Sequence, residues 1–418
     1  MHYSRHDTHS PYEQNDVIVV GGGQAGLATS YLLKQNGIDH IVFDKGDVGD
    51  TWRHKRWDSF CLVTQNRQCR LPGFHYDGDD PHGFMSKDSI VDYLVRYAES
   101  FKPALKSRVN VNKVSYDDSK SQFVLDTTIG TYYSNKVIIA TGTYQHNRIP
   151  TFADKLTTDV KQLHSSEYKN ANSLLDGGVL VVGSGQSGCQ IIEDLVHEGR
   201  KTYLCVGKAG RISRTYRGKD ILQWADLLGM YETSVENHPE GKSIRFKAHP
   251  HITGRNGGRT INLRKLALDG VTLYGRLADM EGNTLFFDDD LKESLHNADN
   301  ADAKIRKTID EFIEKSGIDA PEDNSEHPNW EPHQHVTKID LLKEQISTII
   351  WATGYKYDFS WIEVPVFDER GYPIYDRGVT DMDGLYFVGL HWLHTWGSGL
   401  FYGVGEDAEY IVNHISSN

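Results

Sequence analysis

Cysteine is scarce in this chain. Its four copies, Cys61, Cys69, Cys189 and Cys205, form no C-x-x-C or C-x4-C pair, so neither a zinc ribbon nor an adjacent redox dithiol is signalled. Long apolar runs are missing too: the stretches Val17–Val20, Val137–Ala140 and Val179–Val182 suit buried strands and are far too short to cross a bilayer. Positive charge is in deficit. With 45 Lys and Arg against 58 Asp and Glu, the formal charge is -13, which speaks against a protein that neutralises nucleic-acid phosphates. The first fifteen residues have neither an apolar core nor a small-residue cleavage site, so no secretory signal is expected and the protein reads as cytoplasmic, without a membrane partner. Histidines 249, 251, 327, 333 and 335 lack the helical or Cys-paired spacing that fixes a metal, and none is expected.

What is present is one nucleotide-binding pattern, twice. At 418 residues the chain is too long for one typical domain. Residues 16–44 read as strand, tight turn, helix and strand: DVIVV, then Gly21-Gly22-Gly23-Gln24-Ala25-Gly26, a helix closed by Gly37, and IVFD. Gly21 makes the turn, Gly23 lets backbone approach a pyrophosphate, and Gly26 lets helix pack on strand, while Asp44, with Lys45 beside it, ends the second strand where a carboxylate holds ribose hydroxyls. Residues 178–206 repeat the pattern with Gly183-Ser184-Gly185-Gln186-Ser187-Gly188 and a closing Gly199. Val206 then falls opposite Asp44. No acid stands there for a 2′-hydroxyl, and the basic run Lys208, Arg211, Arg214, Arg217 and Lys219 follows, as a 2′-phosphate needs. FAD in the first unit and NADPH in the second are therefore expected.

VIIATGTY at 137–144 and IIWATGYK at 349–356 are short apolar strands, each ending in Ala-Thr-Gly. Their placement on either side of the second unit marks crossings between domains. The expected fold is α/β, with two Rossmann-like domains and the NADPH domain inserted into the FAD domain: 1–148, 149–347 and 348–418. The last part reads as a strand LYFVG, an aromatic loop His391–Trp396 and a helix from about Leu400 to His414.

Together GGGQAG, Gly49-Asp50-Thr51-Trp52-Arg53, Trp57-Asp58, Cys69-Arg70-Leu71-Pro72, both ATG segments and GSGQSG resemble class B flavin-containing monooxygenases (FMO-like proteins) over nearly the whole chain. RWDSFCLVT, GRTINLRKLALDGVTLYGRL and GIDAPED are nearest to bacterial FMO-like flavoproteins found beside nitrilases in gene clusters. The resemblance implies that NADPH reduces FAD and that reduced flavin and O2 give a C4a-hydroperoxyflavin, which delivers one oxygen atom to N, S or C of a small molecule. It also implies that Trp52, Gln65, Ala140, Thr141, Gly142, Gly389 and Leu400 border FAD, and that Ala352, Thr353 and Gly354 border NADP. Thr64 or Asn66 would face the flavin, Arg53 or Arg56 would partner its charge, and His391, Trp392, His394 and Trp396 would line the substrate pocket. The stretch His164-Ser165-Ser166-Glu167-Tyr168 matches the second half of the family's inter-domain motif, with Thr158 and Val160 at its Phe and Gly positions. Tyr168 at the motif's end leans toward heteroatom or carbon hydroxylation. A homodimer is expected. The layout leaves open a reductase passing electrons to a disulfide, a quinone or O2, and, third, a redox sensor.

Overall fold

The computed structural model describes residues 12–417 except 158, 248, 249, 324, 326 and 327. Expectations for Thr158, His249 and His327 lie outside the described residues.

In the first strand, Tyr12–Val20, the run Val17–Val20 is buried throughout. Burial on both faces suits a parallel strand covered by helices. The strand lies between His40–Asp44 and Gly130–Ile139, parallel to both. Outward from these, Leu105–Ser107 closes one edge, and Gln122–Thr127, Val111–Asp117 and Ile362–Glu363 extend the other. Leu385–Phe387 returns to pair with Gly130–Ile139. Helix Gln24–Gln35 buries Leu27, Ala28 and Leu33 on the sheet and stops before Gly37, whose φ of 68° ends helices readily. The last helix, Val404–Ser417, packs on it. It starts later than the expected Leu400, because Trp396–Gly399 first winds as a 3-10 turn and Leu400 is extended.

The second sheet is all parallel, in the order Lys161–His164, Ile346–Trp351, Gly178–Val182, Thr202–Cys205, Thr272–Tyr274. The fold is thus α/β with two Rossmann-type units, the second inserted into the first. Because Ile346–Trp351 belongs to the inserted sheet, the chain returns beyond Trp351, which corrects the expected division at 347/348. The outgoing and returning chains pair with each other, His146–Asn147 antiparallel to Tyr355–Lys356, and form a two-stranded ribbon between the units.

Candidate functional site

Each glycine loop is closed by its own Ala-Thr-Gly segment, in the same way. A side chain at Gly21 would stand 2.5 Å from the Ala140 carbonyl oxygen, and one at Gly183 would stand 2.7 Å from that of Ala352. Both glycines have φ 108°, which L side chains rarely adopt. At Gly26 and Gly188 an added Cβ would lie 1.8 Å from the carbonyl oxygen of Gly21 or Gly183. Only hydrogen lets helix and turn meet there. The middle glycines differ, since a Cβ at Gly23 or Gly185 would meet nothing within 4 Å. Each loop thus joins a closed backbone to open space at the start of a 12-residue helix, an arrangement that accepts a pyrophosphate.

Beyond the loops the two units diverge. The Asp44 carboxylate accepts the N–H groups of Gly22 (2.5 Å) and Gly46 (2.7 Å), and burial pushes its pKa up against those bonds. In the second unit Ser184 Oγ takes this bracing role, accepting Gly207 N–H at 2.9 Å. The Gln186 amide clamps the Ile252 backbone, while Ser187 behind it is half-buried. Lys208, three residues beyond the strand Thr202–Cys205, is exposed. Arg211 and Arg214, expected at a 2′-phosphate, are instead engaged inside the protein. Arg211 is buried and pairs with Asp299 (2.9 Å) and Asp302 (3.1 Å) of the helix Leu291–Ser316. Arg214, 1% exposed, pairs with Asp220 (2.7 Å), donates to Val63 O (2.6 Å) and lies 4.4 Å over Phe84. Their charge is already neutralised, which corrects the expectation for both.

The segment after the first unit's short helix Asp50–His54 meets the inserted unit. Arg53 and Lys45 are exposed. Trp52 stacks on Phe401 at 5.9 Å, with Arg56 over its ring at 5.0 Å. Thr64 is half-buried and makes no hydrogen bond among the described residues. Asn66 opens a 3-10 turn, is buried, and donates its Nδ2 to Asp80 O at 2.8 Å. Its Oδ1 has no hydrogen-bond partner among the described residues. Leaving such an atom unsatisfied costs about 1–3 kcal/mol, so it invites a donor from a bound group. Gln65, buried beside it, reaches His82 O at 3.3 Å.

Gln68 of the same turn donates to Tyr231 OH (3.0 Å), and Tyr231 stacks on Trp396 at 5.0 Å and 13°. Tyr402 leans on Tyr231 at 4.5 Å beneath the Arg70 guanidinium. Of the four aromatic-loop residues, Trp396 joins this cluster. Trp392 is 5% exposed and packs T-shaped with His238 at 5.1 Å, His394 lies 3.9 Å from Glu236, and the His391 N–H donates to Thr143 Oγ1 at 3.2 Å. Sequence reasoning missed Gln68, Tyr231 and Tyr402. Tyr231 stands in no motif, and its bond to Gln68 spans 163 positions, so no local signal could have found it.

The C-terminal segment is tied to the first helix: Gln24 Nε2 donates to Gly399 O (2.7 Å), and a Cβ at Gly389 would lie 2.5 Å from that of Ala25. Half-buried Leu400 follows. Gln145 holds Thr141 Oγ1 (3.3 Å) and Gly142 O (3.0 Å). At the ribbon, Thr353 Oγ1 donates to Arg148 O, and buried His164 donates from Nε2 to Gly354 O at 3.0 Å. Tyr168 OH donates to Asp194 (2.6 Å), which also accepts Ser59 Oγ (2.5 Å) and Arg255 (2.7 Å), so the HSSEY stretch ties both units together. All four cysteines are free thiols, and burial pushes Cys69 up to about 12. Among the described residues, no group of three or more His, Cys, Asp or Glu is placed to hold a metal, and no helix is long and apolar enough to cross a membrane.

The profile of pyridine nucleotide-disulphide oxidoreductases matches residues 18–224. A CzcO-like oxidoreductase of Geobacillus kaustophilus is 36% identical over 96% of this chain and 98% of its own. The probable indole-3-pyruvate monooxygenase YUCCA10 of Arabidopsis thaliana is 33% identical over 46% of this chain and 51% of its own. Among solved structures, a flavin-containing monooxygenase from Stenotrophomonas maltophilia superposes with a TM-score of 0.66 at 16% identity, covering 97% of this chain and 99% of its own. With its paired glycine loops and a relative this similar over its full length, the chain belongs to the CzcO-like oxidoreductases, flavoproteins of the FMO-like, class B kind.

Proposed function

We propose that the protein is a cytoplasmic, homodimeric monooxygenase that uses FAD, NADPH and O2 to insert one oxygen atom into a small molecule. The observation that carries this reading is the pair of glycine loops, each sealed by its own Ala-Thr-Gly backbone and each open at its middle glycine. The first loop, with Asp44, holds FAD; the second, with Lys208 just beyond the strand Thr202–Cys205, holds NADPH. Flavin held in the first unit would supply the redox chemistry that activates O2. The chain's own residues do the rest. Asn66 Oδ1, lacking a partner in the protein, accepts a hydrogen bond at the flavin ring in preference to half-buried Thr64. The cluster of Gln68, Tyr231, Trp396 and Tyr402 covers that region with aromatic surface and keeps water away.

The test is stoichiometry. With a true substrate, each NADPH and O2 consumed should yield one oxygenated product, and release of H2O2 should fall. Stoichiometric H2O2 across a broad panel of amines, sulfides and ketones would argue for a plain oxidase. A disulfide reductase is disfavoured because Cys69, Cys189 and Cys205 are buried free thiols and the half-buried thiol of Cys61 is likewise in no disulfide, donating instead to Ser59 O at 3.7 Å. NADPH turnover that is lost when Cys61 and Cys69 are both changed to Ser would revive it.

A further inference from the structure

Away from both glycine loops, a cleft of roughly 300 Å³ opens where Gly241–Phe246 of the inserted unit meets the turn 368–375 of the first. Arg245 lines it. This arginine is 6% exposed, and its Nε and Nη2 donate to the successive carbonyls of Trp392 and Leu393, both at 3.0 Å. Its guanidinium lies 4.7 Å from the Tyr375 ring. Among the described residues, no carboxylate lies within 4.0 Å of it and its Nη1 makes no hydrogen bond. A buried guanidinium without a counter-ion is costly, and its remaining edge matches a carboxylate.

The rim repeats the sign. Lys242 and Arg370 are exposed and likewise form no ion pair among the described residues. The one lining carboxylate, Asp368, is turned to its own backbone, accepting the N–H groups of Arg370 and Tyr372 at 2.9 Å each. Beside these cations, Phe246 and Ile374 stand 47% and 51% exposed. Three cations around an apolar wall specify an anionic head on an apolar body.

We propose that this cleft binds a small hydrophobic carboxylate, with its head at Arg245 and its body against Phe246 and Ile374. Titration calorimetry of the FAD-loaded enzyme with benzoate, and with its uncharged analogue benzamide, tests this. Benzoate should bind and benzamide should not, and Lys242→Ala/Arg370→Ala, which leaves Arg245 and its loop bonds intact, should weaken benzoate by about tenfold or more. Phe246→Ala should also weaken it. The proposal is overturned if benzoate and benzamide behave alike, if millimolar benzoate gives no heat, or if the double variant binds as the parent does.

Discussion

At the scale of single residues, the glycine loops make an asymmetric prediction. Gly26→Ala would drive a methyl group into the Gly21 carbonyl, so the variant should be strongly destabilised with or without cofactor. Gly23→Ala meets no protein atom, so the apoprotein should melt as the parent does while FAD content falls. Equal melting losses in both apoproteins would show that Gly23 serves packing and faces no ligand. The basic run divides similarly. Arg211→Ala removes one of the two arginines paired with buried Asp302, which keeps Arg306 (2.8 Å) and Ser213, and should cost about 1–3 kcal/mol in denaturant unfolding. Lys208→Ala should leave stability unchanged and reduce the NADPH over NADH preference by about tenfold, the worth of one charge-assisted bond. An unchanged cofactor ratio in Lys208→Ala would remove this residue from the 2′-phosphate.

At the scale of elements, the short turn Asn66–Gln68 supports a prediction about coupling. Asn66→Ala forfeits the bond to Asp80 O, about 1 kcal/mol, and removes the unpartnered Oδ1. FAD content should hold while a larger share of NADPH oxidation ends as H2O2, measured by peroxidase-coupled assay. If Thr64→Val uncouples and Asn66→Ala does not, the assignment is reversed. Both βαβ units were legible in the sequence because their glycines, strands and helices are consecutive, so local sterics writes them out in order. The choice between Thr64 and Asn66 was not, since it turns on which side chain the 3-10 turn buries. The partners of Arg211 were hidden for a related reason: Asp299 and Asp302 sit on a helix formed far along the chain. A cation free in sequence and a cation already neutralised in space look identical until the fold is known.

At the scale of the whole molecule, acid should loosen the inserted unit through His251. It is fully buried beside Ile261, Ser184 and Arg211, and burial, reinforced by the Arg211 charge, lowers its pKa from 6.5 to about 4 against the backbone of Ile261 and Ser184. The folded state therefore holds the neutral ring. Its contribution is fully present above pH 6.5, where both states are unprotonated, and is lost as pH falls toward about 4, because the unfolded chain protonates first. Over that window the loss should approach about 3 kcal/mol, and His251→Leu should flatten that part of the stability profile. An identical slope in parent and variant would assign the acid sensitivity to other groups. The ribbon of His146–Asn147 and Tyr355–Lys356 has a mechanical consequence. Two separate tethers would let the inserted unit swing and slide in several directions. Zipped together, they act as a single strap, and with Ser59, Tyr168 and Arg255 gathered on Asp194 as a second fastening the two nucleotide cradles are pinned at two separate places.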